Sequence, residues 1–412
     1  MKMPSRSTAS APERPSRREL LWRISAAWAA ALAPVHRLRA AVKPVQIRDV
    51  EIFAVDVPVS KAESEAGFNH RYSVVRITTD AGVRGISFAG PSPKELPEVR
   101  RILVGQDLFN VEQHLKNGLA RWGGVEHAVW DAIGKIARQP VYRLLGGSAT
   151  RVKAYVTCVW RGNPDQSHVP FEDQAAQAER LLKAGFKGMK IRAWRPKPLD
   201  DVEALRVIRE RVGGALEVMF DRTAHAPQSV GQKIWDFETG LAVARGLEKY
   251  GAYWLEEPFA RDDYVTPARL AAAVDIPITG GEGYQGLEPF RQCLLHNTYD
   301  ILQPDGRTVG GILLARKAAI LAEAFHVPTI LHGTMGLMLA GWLQATLAIG
   351  AAWQEVALIW PPLLPEQQWA PSLKLLQTRH LFVIEDGHIL APEAPGLGLE
   401  VDEEALARYR VA

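Results

Sequence analysis

Hydrophobic and polar positions fall into two rhythms along this chain. Residues 45–57 and 72–77 alternate or cluster β-branched residues, which predicts strands, and Thr79-Asp80-Ala81-Gly82 supplies the turn after the second. Between Phe109 and Leu145 the apolar positions move to three- and four-residue steps, as at Val125, Val129, Ile133 and Ile136. That spacing predicts helix, and Gly146-Gly147 ends it. Residues 45–150 therefore read as an α+β module.

After Arg151 a second rhythm repeats. Short apolar runs at 152–158, 188–193, 217–221, 253–257, 277–282, 300–305, 328–332 and 355–359 are each followed by helical spacing, as at 202–212, 266–273 and 312–325. Eight such runs roughly 30 residues apart predict a (β/α)₈ barrel, the α/β TIM-barrel class, over 151–379. An open doubly wound sheet is the competitor, but no Gly-rich dinucleotide loop follows the first strand. From 380 to 412 the rhythm breaks. Residues 381–384, a turn at Asp386-Gly387, and Ile389-Leu390 predict a hairpin, and the whole segment, hairpin included, is expected to return to the N-terminal module rather than to the barrel.

The leader differs from the rest. Residues 1–16 are rich in Ser, Pro, Ala and Arg, a composition that disfavours a packed core. Arg17-Arg18 then precedes an uncharged run from Ile24 to Val35, resembling a twin-arginine export signal with a cleavage site near Ala40-Ala41. Residues 1–44 are thus either such a signal or an ordinary basic leader, and the protein either periplasmic or cytoplasmic. The run is too short to span a membrane. With 412 residues, 47% hydrophobic and 23% charged, the remainder has ordinary globular composition, and a net charge of +3 gives no reason to expect nucleic acid. Cys158 and Cys293 form neither a disulfide framework nor a zinc site and read as small buried hydrophobes.

Candidate chemistry lies where charge ends an apolar run, because barrel active sites sit at the C-terminal strand ends. The third run ends at Asp221, the fourth in Glu256-Glu257-Pro258, the fifth at Glu282. Three carboxylates converging from consecutive strands need a cation, and hard oxygen ligands favour Mg²⁺ over zinc. The sixth run ends at Asp305 and the seventh at His332, which together predict a carboxylate–imidazole dyad acting as general acid/base. Lys190 and Arg192 alternate onto one strand face and point into the mouth. Glu355 opens the eighth run, a candidate electrophilic donor if protonated.

These pieces resemble the mandelate racemase branch of the enolase superfamily. The resemblance runs through Tyr72 to Gly82, His127-Ala128-Val129-Trp130-Asp131 up to Gly146-Gly147, Lys190-Ile191-Arg192, Asp221, Glu256-Glu257-Pro258, Gly281-Glu282, Pro304-Asp305 with Gly310-Gly311, and His332. It implies a capping α+β domain over a modified TIM barrel, and Mg²⁺ on Asp221, Glu256 and Glu282. It also implies a His332–Asp305 dyad with Glu355 as the strand-eight acid. The implied chemistry is abstraction of the proton next to a small-molecule substrate's carboxylate, through an enediolate. Loss of a β-hydroxyl would then give a 2-keto acid, whereas reprotonation from the opposite face would give an epimer. The chain departs from the racemase pattern at Arg192, where a second lysine is usual. An arginine is a poor base, which favours dehydration of an acid sugar or other hydroxy acid over racemisation. A metal-dependent binding protein without turnover is the reading from another class. His225, four residues after Asp221, could supply an acid/base group from its loop. Arg161 and the loop bearing Phe68, His70 and Arg71 could contact substrate, or be solvated. Family habit points to a homo-oligomer.

Overall fold

The computed structural model describes residues 43–65, 70–160, 167–223, 233–378 and 382–411. Gln46–Ala412 forms one compact unit. The leader to residue 42, and with it the export reading, lies outside the described residues, as do Phe68, Arg161 and His225.

The first sheet is antiparallel and runs in the order β13 (Arg410–Val411), β1 (Ile47–Val57), β2 (His70–Thr79), β3 (Arg84–Ser87). Along β1 and β2 most alternate residues are buried, and pairs such as Val50↔Ile77 and Ile52↔Val75 fix the register. The helix Gly123–Ala137 lies across this sheet with backbone against backbone. A Cβ on Gly124 would come within 1.7 Å of the Ala89 carbonyl oxygen. The helical spacing expected from 109 to 145 is in fact divided into Val111–Lys116, Gly123–Ala137 and Val141–Leu144. Left-handed turns at Gly118 and Arg138 interrupt it.

The same helix reaches the barrel with polar side chains. Glu126 accepts hydrogen bonds from Ile312 N (2.8 Å) and Leu313 N (3.0 Å), serving the helix Ile312–Glu323, whose own N-cap residue, Gly311, has no side chain to do so. Burial pushes the Glu126 carboxyl up to about 7, against the pull of those donors. Its neighbour His127 holds Nε2 3.0 Å from the Gly306 carbonyl and packs edge-on to Trp342.

The second sheet is the modified TIM barrel. β4 (Arg151–Cys158), β5 (Gly188–Arg192), β6 (Glu217–Asp221), β7 (Leu255–Glu256), β8 (Ile278–Gly280) and β9 (Ile301–Leu302) pair in parallel, each with the next, and β10 (Trp353–Leu358) pairs with β4. The seventh stave is no regular strand. Isolated bridges Leu302↔Thr329, Asp305↔His332 and Thr334↔Val356 carry the ring from β9 to β10.

The C-terminal hairpin, β11 (Ile384–Glu385) with β12 (His388–Leu390), corrects the expectation that it packs on the N-terminal module. β12 pairs antiparallel with residues 151–153 of β4, the part that extends beyond β5. That stretch offers an unpaired edge, and the hairpin covers it. The chain after the hairpin returns to the N-terminal module: Leu397 N donates to Asp131 Oδ1 at 2.8 Å, Glu403 pairs with Arg76, and Ala54 pairs with Val411. Both cysteines are buried, with thiols pushed upward by burial. No helix among the described residues is long and apolar enough to cross a membrane.

Candidate active site

Strand register brings the acids together. Arg192 on β5 stands opposite Asp221 on β6, which stands opposite Glu256 on β7. Glu282 lies two residues past β8, after Gly281, whose φ of 115° turns the chain in a way that favours glycine. Asp221, Glu256 and Glu355 are buried.

Lys190 is the hub. Its Nζ, fully buried, lies 2.8 Å from Glu256 Oε2, 3.0 Å from Glu355 Oε1 and 3.5 Å from Asp221 Oδ2. Burial alone would push this ammonium down, but Glu256 and Glu355 outweigh it and hold its pKa above the usual lysine value. Arg192 pairs with Asp221 Oδ2 and donates to Thr223 Oγ1 at 2.7 Å, while Thr223 donates to Asp221 Oδ1 at 2.7 Å. Gln303 Nε2 donates to Glu256 Oε2 at 3.1 Å. Glu256 Oε1 is buried with no hydrogen-bond partner among the described residues.

Glu355 is not the protonated donor that the sequence allowed. It accepts from Tyr155 OH (3.0 Å), Thr157 Oγ1 and Gly333 N (2.8 Å), besides facing Lys190. Burial raises its carboxyl, yet Lys190, His332 and Thr157 prevail and hold it well below the carboxylate range. A carboxyl offered only donors stays ionised.

The expected dyad is not closed either. Asp305 and His332 are bridged through their backbones, but the Asp305 side chain turns away. Its Oδ1 accepts from Arg307 N (2.9 Å) and Thr308 N (2.6 Å), and its Oδ2 from Trp342 Nε1 (3.2 Å). The turn after the strand captures the carboxylate, as aspartates starting turns commonly allow. His332 instead places Nδ1 2.9 Å from Glu282 Oε2 and 3.4 Å from Glu355 Oε2, the first an ion pair without hydrogen-bond alignment. Burial lowers its pKa, but the two carboxylates overcome this and raise it well above the usual histidine value. The side chain is 23% exposed, so solvent screens part of that attraction.

The ligand set also differs in detail from expectation. Ligand atoms of Glu256, Glu282 and His332 lie within 4.8 Å of one another, while Asp221 falls outside that group, its oxygens bonded to Arg192 and Thr223. The carboxylates nonetheless fit a hard divalent cation. Glu256 Oε1 and Glu282 Oε2 are buried acceptors without hydrogen bonds, and Asp221 is one strand away in register.

Of the proposed substrate contacts, His70 is corrected. It is buried, with Nδ1 2.8 Å from Ser372 Oγ and Nε2 3.9 Å from Glu63, so it ties β2 to the turn Ala370–Leu375. Burial pushes its pKa down despite Glu63, which suits a neutral tie more than a charged clamp. Arg71, one residue on, is exposed. Sequence reasoning missed Tyr155, Thr157, Gln303, Gly333 and Arg261. Tyr155 and Thr157 alternate along β4, a signal for a shared face, but nothing in the sequence says that the face is Glu355's.

Two family models cover the chain: the mandelate racemase/muconate lactonizing enzyme N-terminal domain over residues 47–146, and the enolase C-terminal domain-like model over residues 173–405. The chain belongs to the mandelate racemase/muconate lactonizing enzyme family of the enolase superfamily. An arabinonate dehydratase of Saccharolobus solfataricus is 30% identical over 298 residues, 72% of this chain and 74% of the relative. A 3,6-anhydro-alpha-L-galactonate cycloisomerase of Streptomyces coelicolor is 26% identical over 387 residues, 88% of this chain and 98% of the relative. Among solved structures of the family, the D-glucarate dehydratase from Agrobacterium tumefaciens complexed with magnesium is 28% identical. Its TM-score is 0.76, covering 90% of this chain and all of that one.

Proposed function

We propose that this chain is a Mg²⁺-dependent hydro-lyase that dehydrates an acid sugar or related hydroxy acid to a 2-keto acid. The observation that carries it is the cluster of Lys190, Glu256, Glu282, His332 and Glu355, in which Glu256 Oε1 and Glu282 Oε2 accept no hydrogen bond among the described residues. Dehydratases of sugar acids among the relatives support the reaction class.

Asp221, Glu256 and Glu282 would hold Mg²⁺, which supplies Lewis-acid neutralisation of charge on the substrate carboxylate. Lys190 stabilises the same developing charge, pinned in place by Glu256 and Glu355. Glu282, one of the two carboxylates that hold His332 protonated, would be offset by a cation bound to it, and His332, at the accessible edge of the cluster, takes the α-proton in its neutral form. It then returns that proton to the departing β-hydroxyl. The C–H and C–O bonds break, water leaves, and the enol product tautomerises to the 2-keto acid. Arg192 cannot serve as an opposite-face base, because a guanidinium stays charged and here it already pairs with Asp221. That is the reason to favour dehydration over epimerisation.

A library of four- to six-carbon sugar acids, assayed for 2-keto acid with semicarbazide, tests the proposal. At least one member turns over, and His332→Asn loses about 10²–10⁴ in kcat. Deuterium entering the α-carbon without keto acid would replace dehydration by isomerisation. Full activity in His332→Asn would remove it as the base.

A further inference from the structure

Arg261 stands on the loop leaving β7, three residues after Pro258, and its guanidinium is divided between two carboxylates. Nε lies 3.1 and 2.9 Å from the two oxygens of Glu257, and Nη2 lies 2.8 Å from Glu257 Oε2 and 2.5 Å from Glu282 Oε1. The surroundings fix this fork. Tyr284 OH donates to the Arg261 carbonyl at 2.6 Å, and a Cβ on Gly283 would come within 2.4 Å of Arg261 Nη1. Glu257 is buried, sits at φ 42°, and accepts a further hydrogen bond from Gly281 N at 3.3 Å.

The consequence falls on Glu282, which stands on a turn beyond its strand and has no ladder to orient it. Arg261 takes one of its oxygens. The other, Oε2, is left without a hydrogen bond, 2.9 Å from His332 Nδ1. Building on the Mg²⁺ reading of this site, we infer that Arg261 is a positioning residue. Anchored on Glu257, it clamps Glu282 Oε1 and thereby leaves Oε2 as the oxygen that would bind a cation alongside Glu256. Charge alone argues the opposite way, because a guanidinium near a divalent ion repels it, and its removal would tighten binding. The fork geometry is what matters. A lysine keeps the charge but has no planar fork with which to bridge two carboxylates.

Calorimetric titration of Mg²⁺ into metal-stripped protein, alongside thermal melting in chelator, separates these views. Arg261→Lys raises the Kd for Mg²⁺ about tenfold, the lower end of what outer-shell partners of metal ligands contribute. Its metal-free melting temperature stays at the wild-type value. Arg261→Met also binds more weakly, despite the lost repulsion. A wild-type Kd in Arg261→Lys, or tighter binding in Arg261→Met, overturns the inference. Should either variant fail to fold, Glu257→Gln, which keeps the anchor's shape without its charge, is expected to weaken Mg²⁺ binding in the same direction, and an unchanged Kd there overturns it equally. Wild-type protein that takes up no Mg²⁺ defeats both this inference and the functional proposal. Normal uptake with indifferent variants defeats this one alone.

Discussion

At the scale of single residues, the site is a set of carboxylates whose partners decide their roles. Thr157 supplies one of the donors that keep Glu355 ionised and aimed at Lys190. Replacing it with valine keeps the shape and removes a hydrogen bond to a charged acceptor, worth about 1.5–3 kcal/mol. Thr157→Val should therefore cost about that much in metal-free denaturation, and it should also lower kcat in the 2-keto acid assay, because Glu355 loses a donor that aims it at Lys190. An unaltered kcat would show that Tyr155 and Gly333 suffice. Asp221, Glu256 and Glu282 were legible in the sequence because an acid ending an apolar run is conspicuous. Their partners were not. Arg261 and Thr157 belong to unremarkable local patterns, and only side chains meeting across strands reveal them. Asp305 shows the same limit, because the turn that draws its carboxylate from His332 follows from backbone geometry and not from residue spacing.

Whole elements were more readable. The eight apolar runs all fall in the barrel wall, though four of them shrink: β7 and β9 to two residues, β8 to three, and the seventh to isolated bridges. Strand length there depends on pairing with neighbours, which apolar spacing does not encode. The C-terminal hairpin was visible from its Asp-Gly turn, but its partner strand was not. Helix Gly123–Ala137 joins the two sheets through Glu126 and His127, and His127 gives a pH signature. Burial lowers its pKa from 6.5 to about 4, despite the Gly306 carbonyl. Folded protein thus keeps the ring neutral where the unfolded chain takes a proton, so this contribution is full above about 6.5 and is lost as pH falls toward 4. Urea unfolding at pH 7 and at pH 5 should show wild type losing about 1 kcal/mol per pH unit from this group at the lower end. His127→Gln should show a slope shallower by close to one proton. Equal slopes would contradict it. On the same helix, Gly124→Ala forces a methyl into the Ala89 carbonyl and should destabilise by about 1–3 kcal/mol in the same denaturation experiment.

For the molecule as a whole, the ring of acids predicts that Mg²⁺ stabilises the fold. At a hundred times its Kd, a ligand that binds only the native state adds about 2.7 kcal/mol. Thermal melting should rise by a few degrees in Mg²⁺, and Glu256→Gln should reduce that rise. A wild-type curve indifferent to Mg²⁺ would count against the site.

Lys190 is brought in by the second barrel strand and Glu355 by the last, with β4 between them as the seam. An unfinished ring would bury an ammonium short of one counter-charge, at a free-energy cost that rises with dryness. Electrostatics thus punishes partial assembly: strands five through nine gain full benefit from their packing only after the chain has travelled round and delivered its final stave. The charges that equip the barrel for chemistry thus also favour its closure.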